Sequence, residues 1–321
     1  MSSNKWHGPV ANPARWIGRA VACCTLALHV GMAYSQSGGV TIGGRIDLAA
    51  AKPVGTSNKQ LLDNAGSRLF FRGAEDLGGG LRAIFVIETR FDASTGVSSD
   101  PYWNGESVVG IQGAFGRVLL GRTYVSAWQL AQNQIDPFGG DTIAQLRGVG
   151  LQIGPARLRV PDQIRYDYQG AGFNVAFDVA EAAPAVGPDR SYSFGANASF
   201  GPVFVAVGHD DPGGANDKLT TVGARFTFGP VVARAGASQG TTNTGAKVRG
   251  QLVGASWQLG AGQLLFGLAS NKTGSATMAR KIGVGYHHWL SKRTKVYTDV
   301  ARDSRRPLEK TGYDLGVQHN F

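Results

Sequence analysis

The sequence predicts an all-β fold, a sixteen-stranded antiparallel transmembrane β-barrel, and three features predict it. The composition combines 47 glycines with only three methionines, and strand-like segments outnumber segments with helical periodicity. Seven tight turn signals recur between alternating segments. The last nine residues, 313–321, alternate apolar with small or polar side chains and end on Phe321. This alternation indicates a final strand that is itself paired, because an open sheet edge is a liability.

The seven turn signals set the strand count. They join fourteen strands in pairs, and a first strand from Gly39 and a last strand to Phe321 bring the count to sixteen. The signals are Leu77–Gly80, Ala114–Gly116, Gly170–Gly172, Phe200–Pro202, Phe228–Pro230, Leu259–Gly262 and Leu290–Lys292. Bacterial barrels have even strand numbers, short turns at one rim and longer loops at the other. A soluble two-sheet sandwich is the alternative, but sheets of this size usually split or close.

Aromatic and apolar residues follow the same plan. Aromatic residues lie near the predicted turns, where their rings suit a membrane interface. Alternate positions within strands are apolar, as in Leu264, Phe266 and Leu268. We therefore expect one face of each strand to contact lipid.

Residues 1–35 are expected to form a signal peptide and residues 36–321 the barrel. Lys5, Arg15 and Arg19 precede a short apolar run, and Ala33-Tyr34-Ser35 offers a cleavage site before Gln36. The apolar run is shorter than the roughly 20 residues of a transmembrane helix. A lipoprotein signal at Cys23 is an alternative, although the apolar run would then lie mostly after the cleavage point.

Composition excludes several other classes of protein. Both cysteines lie in the predicted leader, so the mature chain would have no disulfide. Without residues 1–35 the chain has 29 basic and 22 acidic residues, a net charge of +7. Nucleic acid is not an expected partner, because export argues against it and no basic run with interleaved aromatic residues occurs. No cofactor motif, metal motif or nucleophile elbow is present, so an enzyme is not expected.

One connection is much longer than the others. Roughly thirty residues separate Tyr124 from the strand that begins near Arg157, and connections of this length are usually functional or disordered. The connection mixes apolar residues such as Phe138 with Asp136 and Asp141, which indicates an ordered loop. A sixteen-stranded barrel has room for such a loop against its inner wall.

Three segments of the chain carry a resemblance to a known family: Ser67–Leu81, Gly121–Tyr124 and Phe138–Thr142. The first resembles the second strand of the Gram-negative general porins and the turn that follows it, and the other two resemble the segments that lead into and along the porin constriction loop. The chain resembles in particular the trimeric type of β-proteobacteria, over its whole mature length. The resemblance implies a sixteen-stranded barrel whose third loop folds inward and narrows the pore.

The resemblance also implies which residues line the constriction. Arg45, Arg68 and Arg159 match the wall cations, and Asp136 and Asp141 are candidate carboxylates of the loop. Alternation supports an inward position for Arg45, in phase with Asp47, and for Arg159, in phase with Gln163. Other possible lumen residues are Glu88, Arg90, Arg122 and Arg165. An inward arginine can instead be solvated or salt-bridged to a loop, and Asp141 can instead stabilise a turn.

Two departures from the family pattern affect the expected constriction. The segment from Gly105 lacks a basic residue that porins often carry, so one wall cation is missing. Phe70 stands where a glycine is usual, which predicts a narrower passage.

The function implied by the resemblance is diffusion of small hydrophilic solutes and ions through the outer membrane, with a weak anion preference. The implied assembly is a homotrimer in contact with outer-membrane lipid and lipopolysaccharide. A substrate-selective channel is the nearest alternative, and a non-conducting structural or adhesion barrel is a further one.

Overall fold

The computed structural model describes residues 39–181 and 189–321. The predicted signal peptide, including its two cysteines, lies outside the described residues. Within the described part no helix is long and apolar enough to cross a membrane. The described chain is dominated by antiparallel strands joined in a single sheet.

Most strands pair with the strands that precede and follow them along the chain. The strands are β1 Gly39–Lys52, β2 Gln60–Leu62, β3 Ser67–Gly78, β4 Leu81–Phe91, β5 Ser107–Gly113, β6 Gly116–Tyr124, β7 Arg159–Gly170, β8 Phe173–Ala180, β9 Ser191–Phe200, β10 Val203–Asp211, β11 Lys218–Phe228, β12 Val231–Thr241, β13 Lys247–Leu259, β14 Gly262–Thr273, β15 Ala276–Trp289, β16 Thr294–Asp303 and β17 Thr311–Asn320.

The first and last strands close the sheet into a barrel. β1 pairs with β17 over eight residue pairs, from Arg45 opposite Asn320 to Lys52 opposite Tyr313. The other edge of β1 pairs with β3 near its start and with β2 near its end. Because β2 and β3 lie one after the other along β1, they occupy one position, and the barrel has sixteen. The predicted barrel is therefore confirmed, with its second strand interrupted at 63–66.

The seven predicted turns join successive strand pairs at one rim. The turn between β3 and β4 shows why glycine is needed, since Gly78, Gly79 and Gly80 all have positive φ, at 81°, 60° and 80°. Such backbone angles are strained for residues that carry a Cβ. We call this end of the barrel the short-turn rim.

Each strand has an apolar face and a second face that is polar or lined by small residues. On β14, Leu264, Phe266 and Leu268 are 39–44% exposed, whereas Leu265 between them is 2% exposed. Large apolar side chains are exposed in this way all around the barrel. A soluble protein does not need such an apolar surface, whereas a barrel that contacts lipid does. Exposed aromatic residues also lie next to the short turns, including Phe115, Phe173, Phe200 and Phe228. We call the other face of the strands the polar face.

Candidate functional site

Three arginines form a row on the polar face of adjacent strands. Arg45 of β1 lies directly opposite Arg68 of β3, and Arg68 lies directly opposite Arg90 of β4. Directly paired residues of antiparallel strands point to the same face, and like charges at such positions repel each other. We call Arg45, Arg68 and Arg90 the arginine row. The repulsion among these three positive charges must be offset by nearby carboxylates or bound anions. Without them it would lower the stability of the fold.

A carboxylate and a phenol hold two cations on one side of the row. Glu88 Oε1 lies 2.9 Å from Arg90 Nη2 and 4.0 Å from Arg159 Nη2. The Tyr124 hydroxyl accepts hydrogen bonds from both guanidinium groups, at 3.2 Å from Arg90 and also from Arg159. The Arg159 guanidinium also lies 4.0 Å above the Tyr124 ring. The positions of Arg90 and Arg159 are therefore defined by shared partners.

Arg45 and Arg68 have different surroundings. Arg45 Nη1 donates to Asp141 Oδ2 of the long connection at 3.1 Å, and its Nε donates to Asn320 at 2.9 Å. Arg68 lies between two like charges, Arg45 and Arg90, and has no hydrogen-bond or ion-pair partner among the residues that the structure describes. Arg68 is thus the member of the row whose charge is least compensated by direct contacts.

The long connection, residues 125–158, contains three short helical turns. They are α1 (Ser126–Leu130), a 3₁₀ turn (Gln132–Gln134) and α2 (Arg147–Gly150). Its apolar side chains Ile135, Phe138, Leu146 and Leu151 are at most 2% exposed. A loop with such buried side chains is ordered, because these side chains pack against another part of the protein.

The connection packs on the polar face of the opposite half of the barrel, where glycines allow close approach. A Cβ at Gly223 would lie 2.5 Å from Ile135 Cγ1, one at Gly267 would lie 2.4 Å from Leu146 Cδ1, and one at Gly208 would lie 2.8 Å from the Ala127 Cα. Similar contacts occur on successive strands from β9 to β15, at Gly195, Gly208, Gly223, Gly236, Gly254, Gly267 and Gly283. We call these seven residues the glycine track.

Hydrogen bonds fix both ends and the middle of the connection. Near its start, Asp178 Oδ2 accepts from the Ser126 amide at 2.6 Å and from the Ser126 hydroxyl at 2.5 Å. In the middle, Asp314 accepts from the Ile143 amide at 2.9 Å. Near the end, Arg157 forms an ion pair with Asp210 at 2.5 Å. Since these carboxylates stand on three separate strands, the loop is held as a unit.

Asp136 was predicted to offer its charge to the pore, but the structure places it inside the loop. Its carboxylate accepts backbone hydrogen bonds from Phe138 at 3.0 Å, Leu146 at 2.7 Å and Arg147 at 2.8 Å, and it is only 5% exposed. Burial raises the pKa of Asp136, and the three amide donors act in the opposite direction. Asp136 therefore organises the loop, whereas Asp141 meets the arginine row.

Arg159 reaches the site by a different route from the one that alternation predicts. Arg159 lies opposite Tyr124, but Gln163 lies opposite Gly121, so the register shifts by one residue between them. The extra residue sits in a bulge where Gly121 and Asp162 have φ of 123° and 51°. The bulge interrupts the regular alternation between Arg159 and Gln163 that the sequence analysis assumed, and the Arg159 guanidinium lies 4.0 Å from Glu88.

The remaining predicted lumen residues are half-buried or buried in the wall. Arg165 is 1% exposed and forms an ion pair with Asp167 at 2.6 Å. Arg122 donates to the Asn104 carbonyl at 3.0 Å. Phe70 lies on the same face as Arg68, and the Arg72 guanidinium lies 3.9 Å above its ring. Among the described residues, no hydrogen bond or ion pair joins Arg122 or Arg165 to Asp141.

Sequence reasoning did not assign roles to Tyr124 and Asn320, which help to hold the basic residues. The signal for Tyr124 was its place at the end of β6, next to the loop. The signal for Asn320 was its even spacing from Asp314 and Gln318 on the polar face of β17. Both signals are weak without the pairing of β1 with β17.

A closed barrel with an apolar outer face, a polar inner face and a charged site beside a packed loop defines an outer-membrane diffusion channel. The family model for Gram-negative porins matches residues 20–307. The outer membrane porin protein 32 of Delftia acidovorans is 30% identical, with 94% of this chain and 99% of that protein covered. The chain therefore belongs to the Gram-negative porin family, and its location is the outer membrane.

More distant relatives and solved structures agree with this assignment. An outer membrane porin of Bordetella pertussis is 25% identical over 80% of this chain and 82% of that protein. The anion-selective porin from Comamonas acidovorans has a TM-score of 0.73 at 24% identity, covering 89% of this chain and all of that chain. The trimer form of OmpT from Vibrio cholerae has a TM-score of 0.70 at 13% identity, with 89% and 100% covered. These structural matches establish the fold.

Proposed function

We propose that the protein is a general diffusion channel for small hydrophilic solutes and ions, narrowed by residues 125–158 inside the barrel. The observation that carries the proposal is the contact between the loop and the arginine row, where Asp141 lies 3.1 Å from Arg45. The loop covers the glycine track on one side, so solutes pass between the loop and the arginine-lined wall. No enzyme chemistry is needed for this function, and the relatives found are porins.

The charges at the narrowing favour anions. Arg45, Arg68, Arg90 and Arg159 are four cations, whereas Glu88 and Asp141 are two carboxylates. A wall with an excess of fixed positive charge attracts anions and repels cations. The preference is weak, because water and salt screen charges that line an aqueous pore within about 8 Å at physiological ionic strength. The relative from Comamonas acidovorans is described as anion-selective, which agrees with this sign.

The assembly that we propose is a homotrimer embedded in outer-membrane lipid and lipopolysaccharide. A trimer form is described for OmpT, and the family membership makes the same assembly the expected one here. The exposed apolar face of β1, with Val40 64% and Ile42 62% exposed, needs lipid or another subunit to cover it. Residues 1–35 remain the proposed signal peptide, and residues 36–321 the proposed mature barrel.

A planar-bilayer recording across a salt gradient tests the proposal. The wild-type protein should conduct, and the sign of its reversal potential should show a preference for anions over cations. The double variant R68S/R159S should shift the reversal potential toward cations and raise the single-channel conductance, because it removes two charges and two long side chains. A channel that does not conduct, or a double variant with an unchanged reversal potential, would contradict the assignment of these residues to the constriction.

A further inference from the structure

A second pair of arginines lies away from the arginine row. Arg225 of β11 is directly opposite Arg234 of β12, and both share the polar face with Gly223 and Gly236 of the glycine track. Each arginine lies two residues closer to the short-turn rim than its neighbouring glycine. In the barrel order, β11 is eight positions from β3, so this pair faces the arginine row from the other side of the barrel.

The Arg225 and Arg234 guanidinium groups are fixed by neutral groups alone. The Arg225 guanidinium lies 3.8 Å above the Phe204 ring, and Phe204 is the residue paired with it on β10. Arg234 Nη1 donates to Ser256 Oγ at 2.8 Å and to the Val232 carbonyl at 3.2 Å. Stacking and neutral hydrogen bonds orient a guanidinium but leave its charge in place.

No carboxylate compensates this pair by direct contact. Within residues 39–181 and 189–321, neither Arg225 nor Arg234 has an ion-pair partner. The loop residue Asp136 interacts with Arg234 through its charge, but its oxygens accept hydrogen bonds from three backbone amides and form no ion pair with Arg234. The arginine row differs here, because Arg45 and Arg90 in it each contact a carboxylate.

We propose that Arg225 and Arg234 form an anion site that binds a divalent oxyanion, such as inorganic phosphate. The site lies on the side of the constriction that faces the short-turn rim. Two guanidinium groups with free N–H donors can share one doubly charged anion, and guanidinium is the side-chain group best matched to phosphate and carboxylate oxygens. An anion between them removes the repulsion of two directly opposed like charges. The site rests on the proposed function only in requiring that the polar face borders an aqueous passage.

The site predicts a block of chloride current by phosphate. Purified full-length protein is recorded in a planar bilayer in potassium chloride at mildly alkaline pH, where inorganic phosphate is mainly the dianion. Phosphate is then added at constant ionic strength, with acetate as the monovalent comparison. We expect phosphate to lower the chloride current saturably at concentrations where acetate does not.

Variants locate the site. The variant R225S/R234S should raise the half-blocking phosphate concentration by about tenfold or more, as expected for the loss of charge-assisted hydrogen bonds. R225K/R234K keeps both charges but loses the planar fork, so its block should also weaken. The matched control R249S/R302S removes two exposed cations from the outer face and should leave the block unchanged. The single variants R225S and R234S give the same comparison if the double variant does not fold.

Three outcomes would overturn the site. They are an absence of phosphate block in the wild type, an unchanged block in R225S/R234S, and a block abolished by R68S alone, which would place the anion at the arginine row. The proposed constriction is judged separately, by the reversal potential of R68S/R159S in chloride without phosphate. A failure of one proposal is therefore distinguishable from a failure of the other.

Discussion

Arg68 is predicted to be the residue whose replacement changes ion selectivity with the least disturbance of its surroundings. It stands in the middle of the arginine row between Arg45 and Arg90. Replacing it by serine breaks no direct hydrogen bond or ion pair among the described residues. The change is therefore mainly the loss of one positive charge, together with the space that its side chain fills.

The size of the effect follows from Coulomb interaction and screening. A monovalent ion about 5 Å from a guanidinium interacts with it by about 0.8 kcal/mol in bulk water, and screening at 0.15 M salt reduces this to about 0.4 kcal/mol. The substitution removes both the attraction of anions and the repulsion of cations. The anion-to-cation permeability ratio should thus fall about fourfold at 0.15 M and less than about twofold at 1 M.

The assay is the reversal potential of R68S at two salt concentrations, compared with two controls. R68K keeps the charge and should stay near the wild-type ratio. The double variant R45S/D141S removes an ion pair of 3.1 Å and keeps the net charge, so it should raise conductance more than it changes selectivity. The reasoning is refuted if R68S retains the wild-type ratio at 0.15 M, or if R68K shifts the ratio as far as R68S does.

Three further predictions test the loop, the processing and the assembly. In G223V the new side chain would meet Ile135, which lies 2.5 Å from the Cβ position, so the loop should be displaced and the conductance should rise. The control variant V222A, whose side chain faces outward, should conduct as the wild type does. Equal conductance in G223V and wild type would contradict the packing of the loop on Gly223. Mass spectrometry of protein from outer membranes should show a mature chain that begins at Gln36, and a mature chain that retains residues 1–35 would refute the signal peptide. Crosslinking after mild extraction should give a trimer, and monomer alone would count against the proposed assembly.

The barrel could be predicted from the sequence because its signals are local. A tight turn needs glycine or another turn residue at fixed positions, so the seven turns are visible without knowledge of distant contacts. A strand that contacts lipid on one face needs apolar residues at every second position, as at Leu264, Phe266 and Leu268. These two signals together determine strand number and orientation, and the structure differs mainly in the break between β2 and β3.

The site was harder to predict because its contacts join distant parts of the chain. Asp136 and Asp141 are five residues apart in one loop, and only the folded loop shows that the first binds backbone amides while the second meets Arg45. Arg159 depends on a bulge that offsets the alternation on β7. Gly121 on β6 and Pro161 on β7 are the sequence signals of this bulge, because such residues often interrupt the hydrogen bonding between strands.

The glycine track explains how the two halves of the barrel differ, and it could have been read from the sequence. Gly195 is paired with Gly208, Gly223 with Gly236, and Gly254 with Gly267. A glycine inside a strand weakens the strand, since it adds backbone entropy and gives no side chain to pack. Paired glycines on one face are tolerated where another backbone must approach closely, and here the loop does so. The half of the barrel without this track carries the arginine row, so the paired glycines on the polar face already indicate where the loop lies.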